Sequence, residues 1–256
     1  LIRRFMTALI GLASTIILSR LLSPHDFGLA AMATIAVSFG YALRDFGLTN
    51  AILRKGKVSE SEVNFCFWFN ALTTVMLAVL FVLAAQPIAS YFGEPEVKSL
   101  IYAVVIAFVI GGISLQHNAI MKRNLEFRAV AMCETVSVFV GFVVALTTAL
   151  IRGDYWAIIL GLIAQSITRS AINIGVTRWR PGLPRLIPEA RELLSFGLNS
   201  SIYASLNHAS KYCTTVVIGY FFSPFMLGFF NRAQALYMLP MNNILEPVAQ
   251  ANMPIL

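Results

Sequence analysis

The chain has 256 residues, of which 58% are hydrophobic and only 12% are charged, and its mean hydropathy is +0.75. Soluble domains carry about 25% charged residues, so this composition excludes an ordinary soluble protein and indicates a chain that crosses a membrane several times. The net charge of +7 would suggest nucleic acid as the partner of a soluble protein, but in a membrane protein the loop Lys and Arg residues set the orientation, and we expect no nucleic-acid partner.

Apolar segments alternate with short polar breaks along the whole chain. A bilayer core requires about 20 apolar residues per helix, and eight segments reach that length. The chain begins at Leu1 rather than Met and ends directly after an apolar segment, so we interpret it as a fragment of a longer protein. In chain order, the predicted spans are 5–22, 28–52, 64–85, 99–121, 129–151, 155–177, 192–222 and 225–250.

Basic residues are distributed unequally between the two sides of these spans. Twelve lie in the N-terminal segment and the second, fourth and sixth loops, and three lie on the other side. By the positive-inside rule, the N-terminus and the even-numbered loops are cytoplasmic. The twelve are Arg3, Arg4, Arg54, Lys55, Lys57, Lys122, Arg123, Arg128, Arg178, Arg180, Arg185 and Arg191, and the three are Arg20, Lys98 and Arg152.

One turn motif occurs twice. LLSPHDFG (21–28) and FFSPFMLG (221–228) share Ser, Pro and Gly at matching positions. Six predicted helices separate the turns, so both copies have the same orientation, which predicts a duplicated bundle. The predicted fold is an all-α polytopic bundle, with a six-helix lobe over 1–190 and the first two helices of a truncated second lobe over 191–256. The alternative is that short turns between helices generally favour these residues.

Charged side chains inside the predicted spans are the strongest candidates for function, because a charge at the centre of a bilayer costs at least about 2.5 kcal/mol. Asp45, Glu134 and Arg169 are expected in the cytoplasmic half. We hypothesise that they form a charge network that changes with gating, and that Arg44 is a further member. The alternatives are static ion pairing for the group and snorkelling of Arg44 to the membrane surface.

A second set of residues is predicted to bind substrate. Lys211 and Arg232 are expected in the outer half, where they would give a cavity a positive potential suited to an anionic head group. Gln165 and Asn207 belong to polar stripes at helical spacing, which is typical of helices that line a cavity. For the small residues in these stripes, close helix packing is an equal alternative.

No motif for metal, cofactor or catalysis is recognisable in the sequence. Cys66, Cys133 and Cys213 all lie in apolar segments without CxxC or Cys/His spacing, so neither a metal site nor a disulfide framework is predicted. HExxH, GxSxG and P-loop motifs are absent, and we therefore expect neither a cofactor nor an enzymatic activity.

An ordered set of short motifs runs over essentially the whole chain: RLLSPHDFGLAAMA, RDFGLTNAILRK, FWFN, IMKRNLEF, CETVSVFVGF, WRPGL and LLSFGL. Together they resemble the Wzx-type polysaccharide flippases of the multidrug/oligosaccharidyl-lipid/polysaccharide exporter superfamily, and above all the lipopolysaccharide and colanic acid exporter branch. The resemblance implies two lobes around a central cavity in the bacterial inner membrane. It also implies alternating access that moves undecaprenyl-diphosphate-linked oligosaccharide, a repeat unit of O-antigen or exopolysaccharide, from the cytoplasmic to the periplasmic leaflet.

The resemblance extends to several of the charged residues. Asp45 in DFGL, Glu134 in CETV and Arg169 in ITRS match positions where the family tends to keep those residues, and relatives often carry a basic residue where Lys211 stands. Two positions depart from the family. Many relatives have an aspartate at the position of Thr214, which weakens any cation site on the seventh span, and a small or polar residue is usual at the position of Arg44.

The resemblance also implies ligands and partners: a lipid-linked oligosaccharide, membrane lipids, a polysaccharide polymerase and a chain-length regulator. Directional transport further requires a driving force, for which H+ or Na+ is the candidate coupling ion and Asp45 and Glu134 are the candidate acidic residues. Three alternatives stay open. A drug/cation antiporter of the same superfamily would carry acidic residues deep in its cavity. A membrane-embedded polysaccharide polymerase or ligase would carry a large periplasmic loop. A scaffold in a polysaccharide assembly complex would carry out no transport of its own.

Overall fold

The computed structural model describes residues 2–55, 58–184 and 212–240, with residues 190, 195, 206 and 210 between them. Every regular element in this part of the chain is a helix, which confirms the all-α prediction. The elements are α1 (Ile2–Leu21), α2 (Pro24–Leu43), α3 (Leu48–Arg54), α4 (Glu60–Phe92), α5 (Glu96–Ile113), α6 (Leu115–Arg123), α7 (Phe127–Arg152), α8 (Trp156–Thr177), α9 (Tyr212–Phe221) and α10 (Pro224–Pro240).

The long helices have the length and apolarity of membrane spans. Within the described residues, four stretches meet both criteria: Glu60–Phe92, Glu96–Arg123, Phe127–Arg152 and Trp156–Thr177. α1 and α2 each contain 20 residues, about the number that a bilayer core requires. The chain is therefore a multi-pass membrane protein. The predicted seventh span begins at 192 and lies largely outside the described residues, as does the end of the eighth beyond 240.

The two ends of the bundle differ in chemistry. We name the "turn end" by the tight connections at 22–23, 93–95, 153–155 and 222–223, and the "basic end" by the segments 48–55, 58–59, 115–126 and 178–184. The connections follow the predicted polar breaks closely. At the turn end, Gly93 and Gly153 close α4 and α7 with φ of +73° and +64°, which a residue without a Cβ adopts freely.

Two predicted spans are interrupted near the basic end, which the sequence analysis did not anticipate. The second span breaks between α2 and α3, where Phe46 and Gly47 take positive φ values of +44° and +64°. The fourth span breaks between α5 and α6 at Ser114. A hydropathy profile does not detect such breaks, because the segments on both sides of each break remain apolar or buried.

The break at Ser114 is stabilised by a neighbouring helix. The amide of Ser114 donates to Gly112, not to Ile110 as an uninterrupted helix would require. The Ser170 hydroxyl on α8 donates to the freed Ile110 carbonyl at 2.9 Å and lies 2.9 Å from the Ser114 hydroxyl. Irregular backbone inside a membrane protein is tolerated where side chains satisfy its polar groups in this way.

Small residues bring α7 and α8 into close contact. A Cβ added to Gly141 would lie 2.9 Å from the carbonyl oxygen of Gly161, and one added to Gly161 would lie 2.8 Å from that of Gly141. Backbone approach through small residues is the usual mode of helix packing in membranes. Gly141 and Gly161 are therefore packing residues between α7 and α8.

The two repeated turns lie against each other at the turn end, where α2 packs on α10. Ser23 begins α2 with a capping box: its hydroxyl accepts from the amide of Asp26, whose carboxylate accepts from the amide of Ser23. A Cβ on Gly28 would lie 1.9 Å from the carbonyl oxygen of Pro224, and a Cβ on Gly228 would lie 1.8 Å from that of Pro24. Both positions therefore require glycine in this arrangement.

Candidate functional site

A cavity of about 1200 Å³ opens between α2, α5, α6, α7 and α8 at the basic end. Its mouth includes Lys55 and the segment Lys122–Leu125. Its inner wall lies at the level of the Ser114 break, nine residues from Arg123, which corresponds to a depth of about 13 Å at 1.5 Å per helical residue. The polar and charged residues around it are Tyr41, Arg44, Lys55, Ser114, Asn118, Lys122, Arg123, Asn124, Glu134, Gln165, Ser166, Arg169 and Asn173.

Positive charge predominates on the lining of this cavity. The described lining residues include five Lys or Arg side chains but a single carboxylate, that of Glu134. Walls of low dielectric strengthen the potential of such a cluster. The cavity is therefore suited to a polar ligand that carries negative charge. The five cationic residues are Arg44, Lys55, Lys122, Arg123 and Arg169.

Arg44 is fixed at the inner wall. It ends α2, and its side chain is only 8% exposed. The guanidinium carbon lies 5.0 Å from the ring centroid of Tyr41 and 5.1 Å from that of Phe108, and Nη1 donates to the Phe108 carbonyl at 2.9 Å. A desolvated cation–π contact contributes about 2 kcal/mol, comparable to the insertion cost of about 2.5–3.5 kcal/mol for an arginine. Arg44 is therefore held inside the bundle and does not snorkel to the membrane surface.

The cavity brings together four of the residues that the sequence singled out. Arg169 and Gln165 from α8 lie on the same lining as Arg44 and Glu134. Arg169 is close enough to Arg44 for their like charges to interact. Gln165 also packs against α7, since its Cβ lies 2.9 Å from the position of a Cβ on Gly141. Whether this group changes with gating remains a hypothesis.

Asp45 follows Arg44 in the chain and its opposite charge acts on Arg44, but Asp45 does not line the cavity. It belongs to the turn between α2 and α3, not to an uninterrupted second span. Its Oδ1 accepts from the amide of Thr49 at 3.2 Å and from the Thr49 hydroxyl at 2.8 Å, and the Asn70 amide nitrogen lies 3.5 Å away. Gly47, the N-cap of α3, has no side chain to accept from Thr49, so Asp45 takes over the capping.

The remaining predicted binding residues lie elsewhere. Lys211 and Asn207 are outside the described residues. Arg232 on α10 places its guanidinium carbon 3.0 Å from the ring centroid of Phe27, with Nη1 3.5 Å from the Thr15 carbonyl. Arg232 therefore contacts α1 and α2 near the turn end and does not line the cavity.

Arg123 is a site residue whose role the sequence did not reveal. Its Nη1 donates to the carbonyls of Ile52 at 2.5 Å and Lys55 at 2.8 Å, so that α6 holds the C-terminal end of α3. Lys55 in turn pairs with Glu62 at the start of α4, at 2.5 Å. The sequence pattern identified Arg123 and Lys55 only as basic loop residues that set orientation. Their contacts depend on the two helix breaks, which place α3 against α6.

The geometry defines a class: polytopic α-helical membrane proteins with a polar, cationic cavity inside the bundle. Comparison with known sequences then names the family. A family model described as "Polysaccharide biosynthesis protein" matches residues 17–256. The chain belongs to this family, and the resemblance to Wzx-type flippases is confirmed.

Several known proteins are similar to most of this chain. The lipopolysaccharide biosynthesis protein WzxC of Escherichia coli (strain K12) is 26% identical over 237 residues, 90% of this chain and 47% of WzxC. The succinoglycan biosynthesis transport protein ExoT of Rhizobium meliloti (strain 1021) is 28% identical over 238 residues, 91% of this chain and 47% of ExoT. The chain thus spans about half the length of these relatives.

One solved structure, named protein A, supports the fold. It matches 99% of this chain and 62% of its own length with a TM-score of 0.62 and 18% sequence identity. At this identity the likeness concerns the fold alone.

Proposed function

We propose that the protein containing this chain is a flippase. It moves undecaprenyl-diphosphate-linked oligosaccharide, a repeat unit of O-antigen or exopolysaccharide, from the cytoplasmic to the periplasmic leaflet of the bacterial inner membrane by alternating access. The observation that carries the proposal is the cavity of about 1200 Å³ inside the bundle, with its surplus of cationic side chains. Relatives named for lipopolysaccharide biosynthesis and succinoglycan transport support the same class of substrate.

The chemistry of the substrate matches the cavity part by part. A lipid-linked oligosaccharide combines a diphosphate, a hydroxyl-rich glycan and a long apolar tail. Cationic side chains balance the diphosphate, and Asn, Gln and Ser side chains on the lining exchange hydrogen bonds with hydroxyl groups. The tail stays in lipid. Translocation breaks no bond, so the proposal requires neither a catalytic residue nor a cofactor.

We further propose that the basic end is cytoplasmic, with the N-terminus on the same side. The cavity then opens to the cytoplasm. At the opposite end, the tight contact of Gly28 with Pro224 and of Gly228 with Pro24 brings the first lobe against the beginning of the second. Under this orientation, the structure corresponds to a state that loads substrate from the cytoplasm.

Other parts of the proposal rest on the sequence analysis. Lys211, Asn207 and Arg232 are proposed to contact substrate in the cavity between complete lobes, and Gln165 in the cavity described above. A polysaccharide polymerase and a chain-length regulator are the proposed protein partners, and H+ or Na+ is the proposed coupling ion. Glu134 is the acidic candidate on the cavity lining, and Asp45 is the one outside it.

The charge of the lining argues against the alternatives to different degrees. A drug/cation antiporter needs acidic groups to attract its substrate, whereas five cationic residues and one acidic residue surround this cavity. A polymerase or ligase needs a large periplasmic domain, and the described connections at the turn end have at most three residues. We retain the polymerase as a second candidate because relatives of the family are named for biosynthesis.

The test uses the intact gene in a bacterial strain that lacks its own flippase and therefore its surface polysaccharide. We expect the wild type to restore the polysaccharide. Ser166→Trp, which places a large ring in the cavity, should strongly reduce restoration, whereas Thr147→Trp on the exposed face of α7 should not. If both variants restore the polysaccharide equally at matched membrane levels, transport does not use this cavity. A purified protein that lengthens glycan chains, and does not translocate a lipid-linked oligosaccharide in liposomes, would instead support the polymerase.

A further inference from the structure

We propose that three apolar side chains at the mouth of the cavity, Leu53, Leu125 and Phe127, bind the first isoprene units of the substrate tail. The inference rests on the proposed function and deepens it, because it assigns the part of the lipid next to the diphosphate to a place on the protein. We name these three residues the "apolar rim". The remainder of the tail stays in the bilayer.

The first observation is where apolar surface is exposed on the cavity. Leu53, Leu125 and Phe127 all line it, and their side chains are 38%, 70% and 60% exposed. The other large aliphatic side chains on the described lining are buried or half-buried. Exposed apolar surface is therefore concentrated at the mouth, where a ligand that covers it gains free energy in proportion to the area removed from water. The buried or half-buried residues are Leu115, Val130 and Leu162.

The second observation is the backbone conformation of Leu125, which leucine seldom adopts. It follows α6 with a φ of +58°, in the left-handed region where glycine is the usual residue after a helix. Its amide donates to the Lys122 carbonyl at 3.1 Å, and the amide of Glu126 donates to the Met121 carbonyl at 2.9 Å, which together make a Schellman motif.

Burial within the described part of the chain does not offset the strain at Leu125, because most of its side chain is exposed. Residues held in such conformations cluster at sites that clamp ligands. An apolar ligand at the mouth would cover the leucine side chain and supply the missing burial.

Hydrogen bonds hold the three residues of the apolar rim around one corner of the mouth. The amide of Phe127 donates to the carbonyl of Leu125 at 2.8 Å, so both residues belong to one tight turn. Arg123, two residues before Leu125, donates to two backbone carbonyls at the C-terminal end of α3, at 2.5 and 2.8 Å. These carbonyls lie on either side of Leu53 in the chain. The arginine thus fastens the segment that carries Leu53 to the turn that carries Leu125 and Phe127.

The position of the apolar rim favours the tail of the substrate as its occupant. The inner wall of the cavity lies about 13 Å from Arg123, so a head group that enters passes the mouth and its tail follows. The isoprene units next to the diphosphate must then cross from a polar lining into the bilayer. An apolar surface at the mouth lowers the free energy of these units during the crossing.

The charges beside the apolar rim fit the chain of an anionic lipid. Lys122 and Arg128 are exposed on either side of the turn. One carboxylate lies between them, that of Glu126, and it accepts from the Asn124 amide nitrogen at 3.4 Å. A phospholipid with a neutral head group lacks the complementary charge, whereas a polyprenyl diphosphate carries it.

The test compares two forms of one head group on the purified full-length protein in lipid nanodiscs. Both probes are a diphosphate-linked disaccharide of neutral sugars. One carries a farnesyl group, which has three isoprene units, and the other carries a methyl group. Partition of the farnesyl group into the bilayer is the same for every variant and therefore cancels when variants are compared.

The variants are Leu125→Gly and Phe127→Ala, singly and together. Leu125→Gly introduces the residue that a Schellman motif usually contains, so the turn keeps its fold without the side chain. Phe139→Ala is the matched control for Phe127→Ala. Phe139 lies on the same helix, is 53% exposed and is not among the described residues that line the cavity.

We expect the wild type to bind the farnesyl probe more tightly than the methyl probe. Each single variant should reduce this advantage about fivefold and the double variant about twentyfold, because partial burial of an apolar side chain contributes roughly half of what full burial does. Affinity for the methyl probe should stay within about twofold of the wild type, since the head group keeps its contacts. Phe139→Ala should leave both affinities unaltered.

A farnesyl advantage that survives in the double variant overturns the proposal, because the apolar rim then faces bulk lipid or another part of the protein. An equal loss for both probes also overturns it, since the three residues would then only shape the mouth. In either case, a wild type that restores surface polysaccharide leaves the proposed function standing. A wild type that binds neither probe and restores no polysaccharide contradicts both proposals.

Discussion

The contacts of Gly28 and Gly228 are reciprocal, because each glycine meets the proline of the other turn. Gly28 meets the backbone of Pro224 and Gly228 meets the backbone of Pro24, at positions where an added Cβ would lie 1.9 and 1.8 Å from a carbonyl oxygen. The two glycines and the two prolines belong to the turn motif that occurs twice in the sequence. Their reciprocity is what a local two-fold relation between the two segments produces. The division into duplicated lobes at 190/191 remains a prediction.

The first prediction concerns this contact. Gly28→Ala should force α2 and α10 apart at the turn end, because the clash is with backbone that cannot rotate away. Overpacking of this kind costs about 1–3 kcal/mol. The measurement is labelling of a cysteine placed at Leu227, which is fully buried, by a membrane-impermeant thiol reagent in a background without Cys213. We expect faster labelling than in the parent.

Gly11→Ala is the matched control, because a Cβ at Gly11 meets no atom within 4 Å. Equal labelling rates in the Gly28→Ala and Gly11→Ala backgrounds would show that the contact yields without opening the turn end. Gly228→Ala should reproduce the effect of Gly28→Ala, since the contact is reciprocal.

The second prediction separates two roles for Asp45. As the cap of α3, its oxygen accepts from the amide and hydroxyl of Thr49, and an asparagine oxygen can do the same. Asp45→Ala should therefore destabilise the protein by about 0.5–2 kcal/mol, and Asp45→Asn by only a small part of that. The measurement is unfolding in mixed detergent micelles, together with surface polysaccharide in the flippase-deficient strain.

The outcome for transport identifies the role. A variant Asp45→Asn that is stable and active indicates capping. A variant Asp45→Asn that is stable but as inactive as Asp45→Ala indicates that the negative charge itself is required, as the charge-network hypothesis holds.

The third prediction concerns Arg123, which joins α6 to α3. Arg123→Gln removes a charged donor from the carbonyls of Ile52 and Lys55, which should destabilise this region by about 1.5–3 kcal/mol. Amide hydrogen exchange should become faster across Leu48–Arg54 and stay unchanged in α7. Lys122→Gln, at the exposed neighbouring position, is the control and should leave the exchange unaltered. Equal protection of α3 in both variants would contradict the role of Arg123.

The fourth prediction concerns the break in the fourth span. Ser170→Ala leaves the Ile110 carbonyl and the Ser114 hydroxyl without their partner on α8. Interhelical hydrogen bonds in membranes contribute about 0.6–1.7 kcal/mol, so we expect a loss of stability in that range. Thr147→Ala removes only a local hydroxyl on α7, whose bonds stay within its own helix, and should have a smaller effect. An equal loss in both variants would mean that the break does not depend on Ser170.

The sequence predicted the helices well because length, apolarity and short polar breaks are local properties. The predicted breaks after the third and fifth spans contain the turns closed by Gly93 and Gly153. The interruptions at Gly47 and Ser114 were missed, because they depend on partners distant in sequence, such as Ser170. A hydropathy profile contains no information on such partners.

The candidate site was predictable in part for a similar reason. Depth in the membrane follows from counting residues along a span, and this predicts Arg44, Asp45, Glu134 and Arg169 on one side of the membrane. In the structure, Arg44, Glu134 and Arg169 line one cavity and Asp45 does not. The direction of a side chain depends on the backbone that carries it. Asp45 turns toward Thr49 because the helix breaks beside it, and Arg232 rests on Phe27 because α10 packs on α2.

The contact between Arg44 and the Phe108 carbonyl makes one backbone group sensitive to the charge state of the cavity. The guanidinium that donates to this oxygen also lines the cavity that we propose binds the substrate. A carbonyl stretching frequency depends on the strength of the hydrogen bond it accepts, and a guanidinium drawn toward a ligand bonds its former partner less strongly. With an isotopically labelled Phe108 carbonyl, infrared spectroscopy would therefore report whether substrate occupies the cavity. This measurement requires no added dye and no altered side chain.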